Sequence, residues 1–301
     1  MTMKLRMLIL WVAAALAAGC GTPRVSSFDS RLKDWSETAR VAYGEGQVAR
    51  AAELYGLALE RARLIDTPLE VGKTAYNLAL CKAALGREEE ARQFLAQALA
   101  LLPAESPEVG RARMAEAELD RAGGNEPTAV ATALSIVAGR AEADTKAQAR
   151  VLLAEAAMRA NDKDQCAAQW KRAVSALSED SDPLVWARAE AVAAWLKQAE
   201  GGDLEAGRAL ERQAKWLGKA GQYRGMAGAL EEATSAYRKG ADLRAAADCA
   251  LRAAQSLAAN GEKERAVRLV LQAQGLADNA GDRERQRQAA ALLAEWGIRG
   301  L

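Results

Sequence analysis

The chain contains no histidine, so cysteines and charged side chains are the residues with which it could do chemistry. Histidine is the commonest general base and metal ligand, and its absence counts against catalysis and against a metal site. Cys81, Cys166 and Cys249 lie far apart and form neither a CxxC motif nor a zinc-ligand spacing. We therefore predict three small, buried helix residues here, and no enzyme activity, cofactor or metal.

The remaining cysteine, Cys20, follows a segment with the pattern of an export signal. Lys4 and Arg6 precede an apolar run from Met7 to Ala18, which matches the charged and apolar regions of a secretory signal peptide. The run is too short to span a bilayer as a helix, which takes about 20 residues. We expect residues 1–19 to serve export and to take no part in the fold.

The segment Leu16-Ala17-Ala18-Gly19-Cys20 resembles the lipobox of bacterial lipoproteins. The resemblance implies cleavage before Cys20 and a covalent lipid on its sulfur, whose acyl chains would anchor the protein in a membrane. Lipoproteins of this kind with Asp after the cysteine usually stay in the inner membrane, whereas Gly21 implies the periplasmic face of the outer membrane. An ordinary signal peptide with an incidental cysteine is the alternative. Residues 20–30 are expected to form the lipidated cysteine and a tether.

Composition favours a helical domain behind this tether. Hydrophobic residues make up 50% of the chain but aromatic residues only 5%, and alanine supplies most of the apolar content. Alanine favours closely packed helices over sheets. Without the first nineteen residues, 39 basic residues face 40 acidic ones, since Lys4 and Arg6 are removed from the total of 41. A balanced charge gives no reason to expect a nucleic-acid partner.

An internal repeat predicts how the helices are arranged. The clearest unit, residues 67–103, has small and apolar residues in a first helix, a glycine turn, and small and apolar residues in a second helix. This pattern resembles the tetratricopeptide repeat (TPR), although the unit is longer than usual. The residues that carry the resemblance are Leu78, Ala79, Gly86, Ala91, Leu95, Ala98 and Pro103.

Equivalent turns recur at intervals of 37 to 41 residues, at Gly46, Gly86, Gly124, Asn161, Gly201, Gly240 and Gly281. Small residues follow five positions later in six of the repeats: Ala51, Ala91, Ala129, Cys166, Ala206 and Ala245. Helix starts are expected at Pro68, Pro107 and Pro183, each after a potential capping residue, Thr67, Ser106 or Asp182.

The fold prediction is an all-α, right-handed α-solenoid of about seven TPR-like hairpins, fourteen helices in all, over residues 31–297, with a C-terminal tail at 298–301. Gly221 and Gly261 leave open a second assignment of hairpin partners in the last two repeats.

In the TPR family the first helices of the hairpins line a groove that binds peptides or proteins. The resemblance implies a groove, basic in its N-terminal half, that could grip an acidic segment or a C-terminal carboxylate. The family's carboxylate clamp is incomplete, because Ser36, Arg40 and Ala115 occupy clamp positions. An ordinary solvated helix face is the alternative. The candidate groove residues are Lys33, Arg40, Tyr43, Lys73, Tyr76, Asn77, Arg111, Arg121, Arg188, Trp195 and Tyr237.

Tryptophans are concentrated in the C-terminal half of the chain. We expect Trp170 to pack in the core, nine residues after its turn, whereas Trp195 could equally pack in the core or anchor a partner.

The functional prediction is a lipid-anchored, non-enzymatic scaffold or assembly factor that binds an envelope protein or peptide. The alternatives are a lipoprotein that self-associates through Leu292, Leu293 and Trp296, and a protein that binds or cleaves cell-wall glycan.

Overall fold

The computed structural model describes residues 29–298, and this part of the chain is all-α. It contains fourteen helices and no strand within those residues, which confirms the predicted fold class. The chain forms two compact units, and the boundary between them in the sequence falls between Leu102 and Pro103. The expected signal peptide, Cys20, and residues 21–28 and 299–301 lie outside the described residues.

Unit 1 contains two helical hairpins. Each helix packs against the next one in the chain, and buried alanines such as Ala51, Ala58 and Ala91 line the contacts, where their small side chains allow close approach. Leu59, Leu78 and Leu95 fill the space between them. The helices are α1 (Ser30–Gly44), α2 (Val48–Leu64), α3 (Pro68–Ala84) and α4 (Glu88–Leu101).

Unit 2 continues the same pattern in five further hairpins. Consecutive helices again pack against each other, and α5, α7 and α9 also contact one another in sequence order. A large alanine- and leucine-rich core runs from Ala193 to Leu293. The helices are α5 (Pro107–Ala122), α6 (Glu126–Ala138), α7 (Ala143–Arg159), α8 (Lys163–Val174), α9 (Pro183–Ala199), α10 (Asp203–Lys219), α11 (Tyr223–Lys239), α12 (Leu243–Ala259), α13 (Lys263–Ala280) and α14 (Arg283–Glu295). None of the described helices is both long enough and apolar enough to cross a membrane.

Six of the seven predicted turn residues adopt the left-handed backbone conformation that favours glycine, and the prediction for Gly240 was wrong. Gly240 has φ −77°, and its neighbour Ala241 takes the left-handed conformation with φ 61°. Gly240 is glycine for another reason, because a Cβ there would lie 2.6 Å from Leu204 Cδ2. The small residue five positions after the true turn is Ala246, which is fully buried, whereas Ala245 is only half-buried.

The two hairpin assignments left open by Gly221 and Gly261 turn out to be equivalent. Gly201, Gly221, Ala241, Gly261 and Gly281 all have positive φ and follow one another at intervals of 20 residues. Turns within hairpins and turns between hairpins therefore have the same geometry in this part of the chain, and each helix from α10 to α13 packs against both of its sequence neighbours.

The three predicted helix starts are confirmed, but only one of the three predicted capping side chains forms a cap hydrogen bond. Pro68, Pro107 and Pro183 open their helices as expected, but the preceding Thr67 and Ser106 accept no amide hydrogen bond with their side chains. Every side-chain N-cap in the described residues is an aspartate: Asp29, Asp162, Asp182, Asp242 and Asp282.

Candidate partner-binding surfaces

An open pocket of about 360 Å³ lies within unit 1 between α1 and α3. It brings together Lys33, Arg40 and Asn77 from the predicted groove, and Tyr55 of α2 forms part of its wall. We call it the unit 1 groove. Its lining residues are Asp29, Leu32, Lys33, Ser36, Glu37, Arg40, Tyr55, Glu70 and Asn77.

Carboxylates balance the predicted basic character of this groove. Arg40 Nη2 lies 2.5 Å from Glu37 Oε1, and Lys73 Nζ lies 3.5 Å from Glu70 Oε1. A hydrogen bond from Arg40, together with its charge, holds the pKa of Glu37 below its usual range. The groove is therefore closer to neutral than the sequence suggested.

Three polar side chains in the groove make no side-chain hydrogen bond within the described residues. Ser36 and Asn77 are half-buried, and Tyr55 is only 5% exposed. Burial raises the pKa of the Tyr55 phenol to about 12, so this hydroxyl stays protonated and can donate. The half-buried polar groups of Ser36 and Asn77 are therefore available to a ligand, and the Tyr55 hydroxyl lies in the wall behind them.

The other three predicted residues of unit 1 lie outside the lining of the groove: Tyr43, Lys73 and Tyr76. Tyr43 is 40% exposed near the end of α1, and Tyr76 is half-buried on α3. Both have contacts within the protein.

Arg188 and Arg121, predicted as groove residues of unit 2, are held in an ion-pair network across α5, α7 and α9. Arg188 donates from Nε and Nη2 to the two oxygens of Glu155 at 2.7 and 2.6 Å, and from Nη1 to Glu118 at 2.6 Å. Arg121 Nε donates to the other oxygen of Glu118 at 2.8 Å. These guanidinium groups are thus already neutralised by carboxylates.

Glu118 and Glu155 were not among the residues predicted from the sequence. Their spacing relative to Arg188 could have indicated the ion pairs. The two glutamates lie 37 residues apart, and Arg188 follows Glu155 by 33, so all three recur at about one repeat on first helices. Burial opposes ionisation of Glu118, but Arg188 and Arg121 outweigh it and lower the pKa of this carboxyl.

The other three predicted residues of unit 2 lie in different environments. Arg111 is exposed and near Glu108 and Glu142, at 3.5 and 3.9 Å. Trp195 is half-buried against the small core cluster that includes Cys166 and Leu196. The ring of Tyr237 is only 3% exposed and belongs to the core.

Tyr237 packs across Gly207, and its hydroxyl donates to Glu211 at 2.6 Å. A buried ring with a satisfied hydroxyl stabilises the packing of α10 against α11 and offers little surface to a partner.

The remaining chemistry-bearing residues take structural positions. Trp170 packs against the core and donates from Nε1 to the Ala189 carbonyl at 2.9 Å, which confirms its predicted role. Cys81, Cys166 and Cys249 are buried free thiols, as predicted. Burial raises the pKa of Cys81 and of Cys166 to about 11, which disfavours the reactive thiolate. No cluster of potential metal ligands occurs among residues 29–298.

No protein-family model matches the sequence, and no curated protein matches it. Among solved structures, the chain is similar to a Rap protein complexed with competence and sporulation factor. The two are 13% identical with a TM-score of 0.51, and the match covers 89% of this chain and 76% of that chain. The fold is a TPR-like array of helical hairpins.

Two further structures match with lower TM-scores. A tetratricopeptide repeat protein from Parabacteroides merdae is 15% identical, with coverage of 87% and 100% of the two chains and a TM-score of 0.47. The assembly chaperone of RpL4, Acl4, is 15% identical, with coverage of 85% and 99% and a TM-score of 0.48.

Proposed function

We propose that this chain is a non-catalytic scaffold, lipid-anchored to the periplasmic face of the outer membrane, whose unit 1 groove binds an envelope protein or peptide. The observation that carries the binding role is the trio of Ser36, Asn77 and Tyr55. All three residues line the pocket, and their polar groups have no side-chain hydrogen bond in the described residues. A ligand that supplies both donors and acceptors would satisfy them.

A peptide segment fits these groups best. Its backbone carries alternating N–H and C=O groups, which match the Asn77 amide and the two hydroxyls. Because Glu37 and Glu70 offset the nearby cations, the groove favours a segment of mixed or neutral charge over a strongly acidic one.

Photocrosslinking in cells tests this role. A photoreactive residue placed at Lys33, an exposed residue of the groove lining, should trap an envelope protein. The same group at Glu53, an exposed residue of α2 outside the groove lining, is the control. The double substitution Ser36→Ala/Asn77→Ala should reduce the Lys33 crosslink severalfold. Equal trapping at Glu53, or a Lys33 crosslink unaffected by the double substitution, would refute the groove.

The proposed anchor rests on the sequence around Cys20. Supporting it are the basic residues and apolar run that precede the lipobox-like segment. Labelled palmitate should be incorporated into the protein and lost in Cys20→Ser, which should no longer sediment with membranes. Gly21→Asp should keep the lipid but move the protein to the inner-membrane fraction. Palmitate labelling of Cys20→Ser equal to that of the natural chain would refute lipidation at this residue.

The structure offers no support for self-association through α14. Leu293 is buried, while Leu292 and Trp296 pack against the core of unit 2. A cell-wall enzyme also gains no specific support, since all fourteen helices of the described residues belong to the hairpin array.

A further inference from the structure

A row of four cations runs along the exposed side of α10, the second helix of its hairpin. Arg208, Arg212, Lys215 and Lys219 are all exposed and follow one another at intervals of four, three and four residues. At 3.6 residues per turn they lie within an arc of about 60° and extend over about 16 Å of the helix. We call this row the α10 ridge.

Most of the charge on the α10 ridge is not neutralised by the described part of the protein. Arg208 and Lys215 form no ion pair or side-chain hydrogen bond there. Lys219 Nζ lies 4.1 Å from the centre of the Trp216 ring, a cation–π contact that orients the ammonium group and leaves its charge in place. Arg212 alone has a carboxylate partner, Glu190, at 2.8 Å.

The helix that carries the ridge is held firmly in place. Trp216 stacks on Trp186 of α9, with ring centres 5.4 Å apart and planes 8° apart. Trp186 also donates to the Ser178 carbonyl at 2.8 Å. At the middle of α10, Glu211 accepts hydrogen bonds from Tyr237 of α11 and Arg252 of α12, each at 2.6 Å. The cations therefore project from a helix fixed on both sides, which reduces the entropic cost of binding.

Carboxylates border the ridge and make it narrow. Glu205 is exposed on one side, and Glu211, with 30% of its side chain exposed, lies on the other. Each is about 60° from Arg208 around the helix. A broad anionic surface such as a membrane would meet these carboxylates together with the cations. A single row of acidic side chains would meet the cations alone.

We propose that the α10 ridge binds an acidic α-helical segment of a partner protein, with Asp or Glu recurring on one face at i, i+4, i+7 and i+11. Such a segment repeats along its axis at the same intervals as the ridge, so that each carboxylate can face one cation when the two helices lie side by side. This surface lies in unit 2 and does not depend on peptide binding in the unit 1 groove.

Fluorescence anisotropy with the whole chain in detergent tests the proposal. The probe is a labelled alanine-based peptide of about 18 residues, long enough to be helical, with four glutamates in the matching register. An isomer with the same glutamates spread around the helix is its control. The ridge variant is Arg208→Gln/Lys215→Gln/Lys219→Gln. The matched control is Arg238→Gln/Lys239→Gln/Arg244→Gln, which removes three exposed cations outside the ridge.

We expect the in-register peptide to bind at low salt and to bind the ridge variant about tenfold more weakly, while the control variant changes affinity less than about twofold. Equal weakening in both variants, equal binding of the isomer, or no binding would overturn the proposal. Ridge-dependent binding to phosphatidylglycerol vesicles without peptide binding would also overturn it, in favour of a lipid surface. If the triple variant loses helicity by circular dichroism, Lys215→Gln alone should weaken binding about twofold, and an unchanged affinity would count against the ridge.

Discussion

At the scale of single residues, the contact between Gly207 and the Tyr237 ring leaves no space for a methyl group. A Cβ at residue 207 would lie 2.8 Å from Tyr237 Cε1 and 2.9 Å from two other ring atoms. The ring is held by its hydroxyl, which donates a hydrogen bond to Glu211, so a shift of the ring would strain that bond. We predict that Gly207→Ala lowers the free energy of unfolding by roughly 1–3 kcal/mol, measured by urea denaturation.

Gly228 of α11 provides the matched control, because a Cβ there would have no atom within 4 Å. Alanine has the higher helix propensity, so Gly228→Ala should stabilise the protein by roughly 0.5–1 kcal/mol. A Gly207→Ala protein as stable as Gly228→Ala would contradict the packing described for Tyr237.

Arg188 should make stability depend on pH. Arg188→Gln leaves Glu118 and Glu155 without their shared partner, and we expect a loss of roughly 2 kcal/mol near pH 7. Because the pKa of Glu118 is lowered in the folded protein, its contribution is present above the unfolded pKa of about 4.3 and disappears as the pH falls through the folded value.

The difference in unfolding free energy between the natural chain and Arg188→Gln should therefore shrink below about pH 4. Urea unfolding from pH 7 to pH 3 measures it. Arg111→Gln is the control, since its longer ion pairs are exposed and should contribute less than about 0.5 kcal/mol at any pH. A difference that grows on acidification would refute the network.

At the scale of elements, the turn between α11 and α12 places an alanine where glycine is favoured. Ala241 has φ 61°, a conformation that costs an L-residue with a side chain roughly 1 kcal/mol. We predict that Ala241→Gly raises the free energy of unfolding by roughly 0.5–1 kcal/mol, measured by thermal or urea denaturation. Gly201→Ala, at an equivalent turn with φ 78°, should lower it by a similar amount.

The same turn separates two reasons why a position can require glycine, namely lack of space for a Cβ and a left-handed backbone. Gly240→Ala should also destabilise the protein, through contact of the new Cβ with Leu204. Its effect should decrease when Leu204 is replaced by alanine, whereas the effect of Ala241→Gly should not change. Additive effects of Gly240→Ala and Leu204→Ala would contradict this assignment.

At the scale of the whole molecule, the exposed residues of the last helix, α14, indicate whether the protein can self-associate. The outward residues of α14 include Arg283, Arg287 and Ala290, while its larger apolar side chains pack inward. We predict that the chain without its lipid is a monomer, measured by sedimentation equilibrium over a range of concentrations. A stable dimer disrupted by substitutions in α14 would revive the self-association hypothesis.

The hairpin architecture could be predicted from the sequence because its determinants are local. Small residues at fixed distances from a glycine, together with prolines at helix starts, specify helices and turns through backbone sterics alone. The burial of Cys166 and Trp170 followed from the same periodicity, and that of Cys81 and Cys249 from the absence of any ligand or disulfide spacing. The proposed lipid anchor likewise rests on local signals at the N-terminus and remains a prediction.

Contacts between residues that are far apart in the sequence were decided only by the tertiary structure. Gly240 was assigned to a turn, but the structure places it against Leu204, a contact between residues 36 apart, and gives the left-handed conformation to Ala241. The sequence identified the groove cations by residue type alone. Whether a guanidinium group is free to bind a partner depends on carboxylates one repeat away, as the pair of Glu155 and Arg188 shows. The sequence alone determined the helices and turns because neighbouring residues restrict one another's backbone, whereas only the folded chain brings distant side chains close enough to pair.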